Sequence, residues 1–136
     1  MKHHLCQLLS DAVQTLKSER ILPEDQHIEI NLERTRDRKH GDFASNLAMV
    51  LSRVARSKPR DLAEKLVSAL PESEQLSKVE IAGPGFINFF LSPAAYHATI
   101  THVLEQGGDY GRSHIGRGKR IQVEFVSANP TGPLHV

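Results

Sequence analysis

Leu5, Leu8, Leu9, Ala12, Val13 and Leu16 recur at spacings of three and four, which predicts an amphipathic helix from residue 2 to about 20, closed by Pro23. Ile28, Ile30 and Leu32 then alternate with Glu29, Asn31 and Glu33, the pattern of a half-buried strand. After a basic stretch, Gly41 and Asp42 predict a helix start with Asp42 as N-cap and Phe43, Leu47, Val50, Leu51 and Val54 as the apolar stripe. Pro59 suits the first position of a further helix, with Leu62, Ala63, Leu66, Val67 and Leu70 facing inward before Pro71. Val79 and Ile81 alternate with Lys78 and Glu80, a short strand. Ala82-Gly83-Pro84-Gly85 is a turn, and Pro84 followed by Gly85 favours type II. Residues 86–91 form the return strand of this hairpin. Ser92-Pro93 opens a helix with Tyr96, Ile100, Val103 and Leu104 inside, stopped by Gly107-Gly108. A glycine-rich basic stretch then leads to a last apolar strand at 120–126.

The order is α-β-α-α-β-β-α, then a linker and one strand. Helices that do not strictly alternate with strands favour an α+β sandwich, a small antiparallel sheet covered by helices. The expected division is a first domain at 1–110, a linker at 111–119 and the start of a second, α/β domain at 120–136. Neither a repeat nor a low-complexity tract interrupts the pattern.

Composition narrows the class. At 136 residues, 39% hydrophobic and 24% charged, the chain suits a soluble globular domain with a real core. No apolar run approaches the ~20 residues that span a bilayer. The first ten residues lack the apolar stretch of a signal peptide. The single cysteine, Cys6, excludes an internal disulfide and suits a reducing cytoplasm. Its place in a helical pattern reads as a packed small residue. The eight histidines are scattered, with no zinc-like spacing, so no metal site is expected. A net charge of +1 is uninformative, but its distribution is not. Arg34, Arg36, Arg38 and Lys39 stand against Asp37 alone, and Arg112, Arg117, Lys119 and Arg120 have no acid among them. Such patches can meet a polyanion, and they equally fit solvated loops.

Three stretches can carry chemistry. In Phe86-Ile87-Asn88-Phe89-Phe90-Leu91, alternation puts Phe86, Asn88 and Phe90 on one face. Three of the chain's five phenylalanines lie here. An exposed aromatic beside an amide can stack a flipped-out base and bond its edge. A strand buried on both faces, with Asn88 bonded at its end, fits the same residues. Lys39-His40-Gly41-Asp42-Phe43-Ala44-Ser45-Asn46 can set cations and helix-terminal N–H groups against a phosphate, or merely cap a helix. The third stretch, Ser127-Ala128-Asn129-Pro130-Thr131-Gly132-Pro133-Leu134-His135-Val136, follows a strand, as the phosphate-binding turns of α/β folds do. Ser127 and Asn129 are short polar groups at the carboxyl end of that strand. Pro130 and Pro133 stiffen the turn, and Gly132 permits close approach. His135 would precede a helix N-terminus, where it can stabilise charge on transferred phosphates.

This last string, with Val123-Glu124-Phe125-Val126 before it, resembles the strand and "HIGH" motif of class I aminoacyl-tRNA synthetases, in the form seen in arginyl-tRNA synthetases. Gly41-Asp42-Phe43-Ala44-Ser45-Asn46 and Ile81-Ala82-Gly83-Pro84-Gly85-Phe86-Ile87-Asn88-Phe89 resemble two stretches of that family's N-terminal additional domain. The resemblance covers the whole chain. It implies a parent enzyme that activates arginine with ATP and Mg²⁺ and transfers it to tRNA(Arg). That enzyme would be a cytoplasmic monomer with no membrane contact. The residues from Ala128 to Val136 would form the HIGH motif region, His135 acting on ATP phosphates and Ser127 and Asn129 holding arginine. Phe86 and Asn88 match positions that stack on and bond a D-loop base, with Arg36 and Lys39 as further tRNA contacts.

Two expectations follow. On the first, the chain is the N-terminal part of such an enzyme, cut inside the active-site motif. It recognises the tRNA D-loop region, is inactive alone and needs no cofactor of its own. On the second, it is a free-standing RNA-binding or interaction module without catalytic activity.

Overall fold

The computed structural model describes residues 1–26 and 28–125, which separate into two units, Met1–Glu105 and Gln106–Val136. In the first unit the spacing of apolar residues in the N-terminal helix works as expected. Helix α1, Lys2–Ser18, buries Leu5, Leu8, Leu9, Ala12, Val13 and Leu16 along one stripe. It ends where Arg20 adopts φ +60° and the Ile21 N–H bonds the Leu16 carbonyl at 2.9 Å. The Lys17 ammonium holds the next loop, donating to the carbonyls of Glu24 and Gln26 at 3.0 and 2.9 Å.

Four strands follow among the described residues: β1 Glu33–Arg34, β2 Phe43–Ser45, β3 Leu76–Ala82 and β4 Phe86–Leu91. They form one antiparallel sheet in the order β1-β2-β4-β3. Helices α2, Leu47–Leu51, and α3, Pro59–Ser68, pack on β4, and α1 packs on α3. Register fixes what each side of the sheet does. Phe89 pairs with Phe43 and Val79, and Ile87 pairs with Ser45 and Ile81, all toward the helices. Phe89 and Ile87 have no exposed surface and join Leu47, Leu51, Leu62 and Leu66 in one core. Cys6 packs against that core as a partly buried residue. The fold is therefore the expected α+β sandwich, with α1, α2 and α3 on one side of the sheet.

Several local expectations are corrected. The alternation at 28–32 records burial, since Leu32 is buried and Ile28 and Ile30 half-buried, but the ladder begins only at Glu33. Its partner β2 is three residues long and offers no more. Asp42 is not an N-cap. Residues 43–45 are strand, because Phe43 and Ser45 both point into the core opposite Phe89 and Ile87. Helix α2 starts at Leu47, whose N–H is taken by Ser45 Oγ at 3.3 Å. Val50, expected inside, is 57% exposed.

The hairpin turn differs too. The Gly85 N–H bonds the Ala82 carbonyl at 3.2 Å, so Gly83, with φ +51°, is second and Pro84 third. A positive φ at the second position excludes type II, which needs it at the third. Helix α4, Pro93–Gln106, forms where expected, but only its Ala95 is buried. Ile100 and Leu104, expected inside, are 58% and 75% exposed. Residues 120–125, expected as strand, pair with nothing among the described residues, and Ile121, Val123 and Phe125 are exposed. A strand exists through its ladder, and none is offered to them.

Candidate nucleic-acid interface

The sheet face opposite α2 and α3 is built by the even-numbered residues of β4. Phe86, Asn88 and Phe90 point away from the core, with Ala82, Glu80 and Lys78 beside them on β3 and Ala44 beside Asn88 on β2. Phe86 is 41% exposed, although it belongs to the strand with the deepest core residues. Asn88 is 4% exposed and forms no side-chain hydrogen bond among the described residues. No buried side-chain polar atom there lacks a partner, so the remaining accessible surface of Asn88 lies at its amide. Lys78 Nζ lies 5.2 Å from the Phe90 ring centroid, a cation–π contact, and is salt-bridged to Glu80.

Beside this face runs the loop from β1 to β2. Gly41 anchors it. A Cβ there would sit 2.5 Å from the Phe89 carbonyl oxygen, and the φ of +79° also excludes a side chain without strain. The close approach lets the Asp42 N–H bond the Phe89 carbonyl at 2.8 Å. The Thr35 N–H bonds the Asp42 carbonyl at 3.1 Å, and the Thr35 hydroxyl donates to the Gly41 carbonyl. Asp37 caps the short 3₁₀ turn Arg38–His40 by accepting from the Lys39 N–H at 2.9 Å.

The Asp42 carboxylate ties this loop to the rest of the sheet. One oxygen accepts the Leu91 N–H at 2.8 Å, and the other accepts the Tyr96 hydroxyl from α4 at 3.0 Å. That hydrogen bond, then desolvation and the carboxylate charge, raise the Tyr96 phenol above its ordinary range, while Arg34 and Arg38 pull it down. Between loop and helix lies a cleft of ≈ 500 Å³ walled by Arg34, Thr35, Arg36, Arg38, Gly41, Asp42, Phe90 and Tyr96. Phe90 belongs both to this cleft and to the open face of the sheet.

Of the residues singled out by sequence, Phe86 and Asn88 stand on one face, and Arg36 lines the neighbouring cleft. Lys39 is exposed and does not line it. Ser127, Asn129, His135 and the rest of residues 126–136 lie outside the described residues. The expectation of helix-terminal N–H groups near Lys39 is corrected: the segment after it is strand, and α2 is only five residues long. Sequence reasoning does not single out Tyr96, nor assign Arg34 and Arg38 to a site. Arginines at every second position, 34, 36 and 38, are the available signal. A further depression, ≈ 540 Å³ around Val67, Leu70 and Leu76, is rimmed by Glu72, Glu74 and Lys78. Among the described residues no helix is long and apolar enough to cross a membrane, and no His/Cys/Asp/Glu group could hold a metal ion.

Fold and surface together define a two-layer α+β domain whose sheet face opposite α2 and α3 carries Phe86 and Asn88 next to an arginine-lined cleft. The chain belongs to the family described as the arginyl-tRNA synthetase N-terminal domain, whose model matches residues 3–91. It is 54% identical over its whole length to an arginine–tRNA ligase of Halorhodospira halophila and 52% identical to one of Thioalkalivibrio sulfidiphilus. It spans about a quarter of those relatives, 24% and 23% of their lengths. Among solved structures, Plasmodium falciparum arginyl-tRNA synthetase matches 72% of this chain and 17% of its own, with TM-score 0.59 and 14% identity. Thermus thermophilus arginyl-tRNA synthetase matches 68% of this chain and 15% of its own, with TM-score 0.52 and 24% identity. At these identities the two structures speak for the fold.

Proposed function

We propose that residues 1–110 are the tRNA-contacting additional domain of an arginine–tRNA ligase, and that Phe86 and Asn88 receive a base of the tRNA(Arg) D-loop. The carrying observation is the pair itself. Phe86, 41% exposed, and Asn88, whose side chain forms no hydrogen bond among the described residues, share the sheet face opposite α2 and α3. Stacking on Phe86 would hold a base by its π-face, and Asn88 has donors and an acceptor for its edge. Arg36 and Lys39 would meet the backbone phosphates of the same RNA.

On this reading residues 111–119 link the domain to the start of a class I catalytic domain at 120–136. There Ser127 and Asn129 bind arginine, and His135, within the motif from Ala128 to Val136, acts on ATP phosphates. ATP with Mg²⁺ would activate the carboxylate of arginine, which would take the α-phosphoryl as adenylate while pyrophosphate leaves. The longer enzyme works as a cytoplasmic monomer. The match to ligases about four times as long supports this reading over a free-standing binding module.

Filter binding of tRNA(Arg) to the chain and its Phe86→Ala variant tests the contact. Weaker binding with an unchanged circular-dichroism spectrum is expected, and unchanged affinity overturns the stacking role. ATP–pyrophosphate exchange with arginine and tRNA tests the division of labour. The 136-residue chain should give none, and measurable exchange would overturn it.

A further inference from the structure

The arginine-lined cleft has a charge pattern that folding alone does not explain. Arg34, Arg36 and Arg38 share its wall, and none forms a side-chain hydrogen bond or salt bridge among the described residues. Its only carboxylate, Asp42, already accepts the Leu91 N–H and the Tyr96 hydroxyl. Three like charges on one wall disfavour one another, and an anion between them would relieve this.

Resting on the RNA-contact reading above, we infer that this cleft, walled by Arg34, Arg36, Arg38 and Tyr96, holds phosphodiester groups of the RNA strand whose base stands on Phe86 and Asn88. The guanidinium fork matches two phosphate oxygens at once and stays charged at any working pH. The arm that carries the arginines is set in place before any ligand arrives. Gly41 packs it onto the Phe89 carbonyl, and Thr35 and Asp42 bond across its base. Less ordering is then lost on binding. Its volume of ≈ 500 Å³ lies within the ~300–1,000 Å³ of ligand-sized sites. Phe90 joins the cleft to the face that bears Phe86 and Asn88, so one strand can run from base to phosphates without leaving the surface.

A free mononucleotide offers the same phosphate chemistry, so the test separates the two. The probe is a fluorescein-labelled tRNA(Arg) transcript, titrated with the 136-residue chain across a salt series. For Arg34→Gln/Arg38→Gln the slope of log K against log salt should fall in magnitude by roughly 0.7–0.9 for each phosphate no longer neutralised. Arg34→Lys/Arg38→Lys, which keeps the charges, should retain the slope. Phe86→Ala should lower affinity at unchanged slope. A wild-type slope in the Gln variant, with its melting temperature intact, overturns the cleft proposal and leaves the Phe86 reading standing. A Gln variant with a reduced slope, beside a Phe86→Ala variant that binds like wild type, supports the cleft and overturns the base contact. Saturable binding of AMP alone that perturbs Tyr96 reassigns the cleft to a mononucleotide and overturns the proposal. Absence of transcript binding by the wild-type chain at low salt overturns both.

Discussion

Ile87 and Phe89 have no exposed surface, while Phe86, next to Ile87 on the same strand, keeps 41% of its own. The two faces of β4 are made of similar residue types and do different work. Toward the helices, each side chain is enclosed by α2, α3 and the facing positions of β2 and β3, and its burial holds the domain together. On the other side, Phe86 is 41% exposed and Phe90 half-buried, while Asn88 between them keeps 4% of its surface. Folding leaves part of both rings in solvent. Alternation thus sets buried Ile87 beside half-exposed Phe86, and substitutions along the strand should sort into two classes.

The inner face should show the largest effects. Phe89→Ala removes a fully buried ring from the centre of the core, and is expected to cost about 3–5 kcal/mol of stability in urea unfolding. Retention of wild-type stability would mean that β4 does not divide in this way. Gly41→Ala comes next and tests the boundary between the faces. Its Cβ would meet the Phe89 carbonyl oxygen at 2.5 Å in a backbone conformation with φ +79°. Strain and overlap together should cost roughly 2–4 kcal/mol, although the residue touches no core side chain of the helices. The same measurement checks it.

How far these distinctions can be read from the sequence depends on the range of the interactions that create them. Leu5, Leu8, Leu9 and Leu16 of α1 announce their face through spacing alone, because the helix itself brings them together. The two faces of β4 follow from alternation in the same way. Phe43 and Leu47 mislead because a spacing of four suits a helix, and nothing nearby says otherwise. Strand pairing with Phe89, forty-six positions on, decides the matter. Asp42 resembles a helix cap for the same reason. Its real partners, Leu91 and Tyr96, are 49 and 54 residues away. The cleft is invisible in the sequence for that reason too, since the fold alone brings Tyr96 to the arginines. In α4 the stripe of Tyr96, Ile100 and Leu104 is legible, but periodicity cannot tell a covered face from a bare one.

The outer face should yield a smaller effect that appears only with a partner present. Phe86→Ala is expected to weaken tRNA(Arg) binding by about 1–3 kcal/mol, the range for stacking of one base on an aromatic ring. Stability should change by under about 1 kcal/mol, because the ring is already 41% exposed. Unfolding and binding measured on one preparation make the contrast with Phe89 direct. A large stability loss at Phe86, or a pure binding loss at Phe89, would erase the difference between the faces.

The smallest effect concerns the Tyr96–Asp42 bond, which holds one wall of the cleft without core burial. The folded protein favours the protonated phenol, chiefly because its hydroxyl donates to the Asp42 carboxylate. A group whose folded pKa is raised contributes stability below its unfolded pKa, near 10 for tyrosine, and loses it as pH climbs through the folded value. The contribution is therefore complete at neutral pH and disappears only in strongly alkaline solution. Subtracting the near-ultraviolet titration of Tyr96→Phe from that of the wild type isolates the Tyr96 curve, since the chain has two tyrosines. Its midpoint should lie above the ordinary tyrosine value. In Asp42→Asn the midpoint should fall to that value or below it, because the opposing influence of Arg34 and Arg38 remains. An unshifted midpoint in the wild type would mean that the carboxylate does not hold the phenol. Asp42 would then have an oxygen to spare for the arginines, and the cleft would carry its own counter-charge.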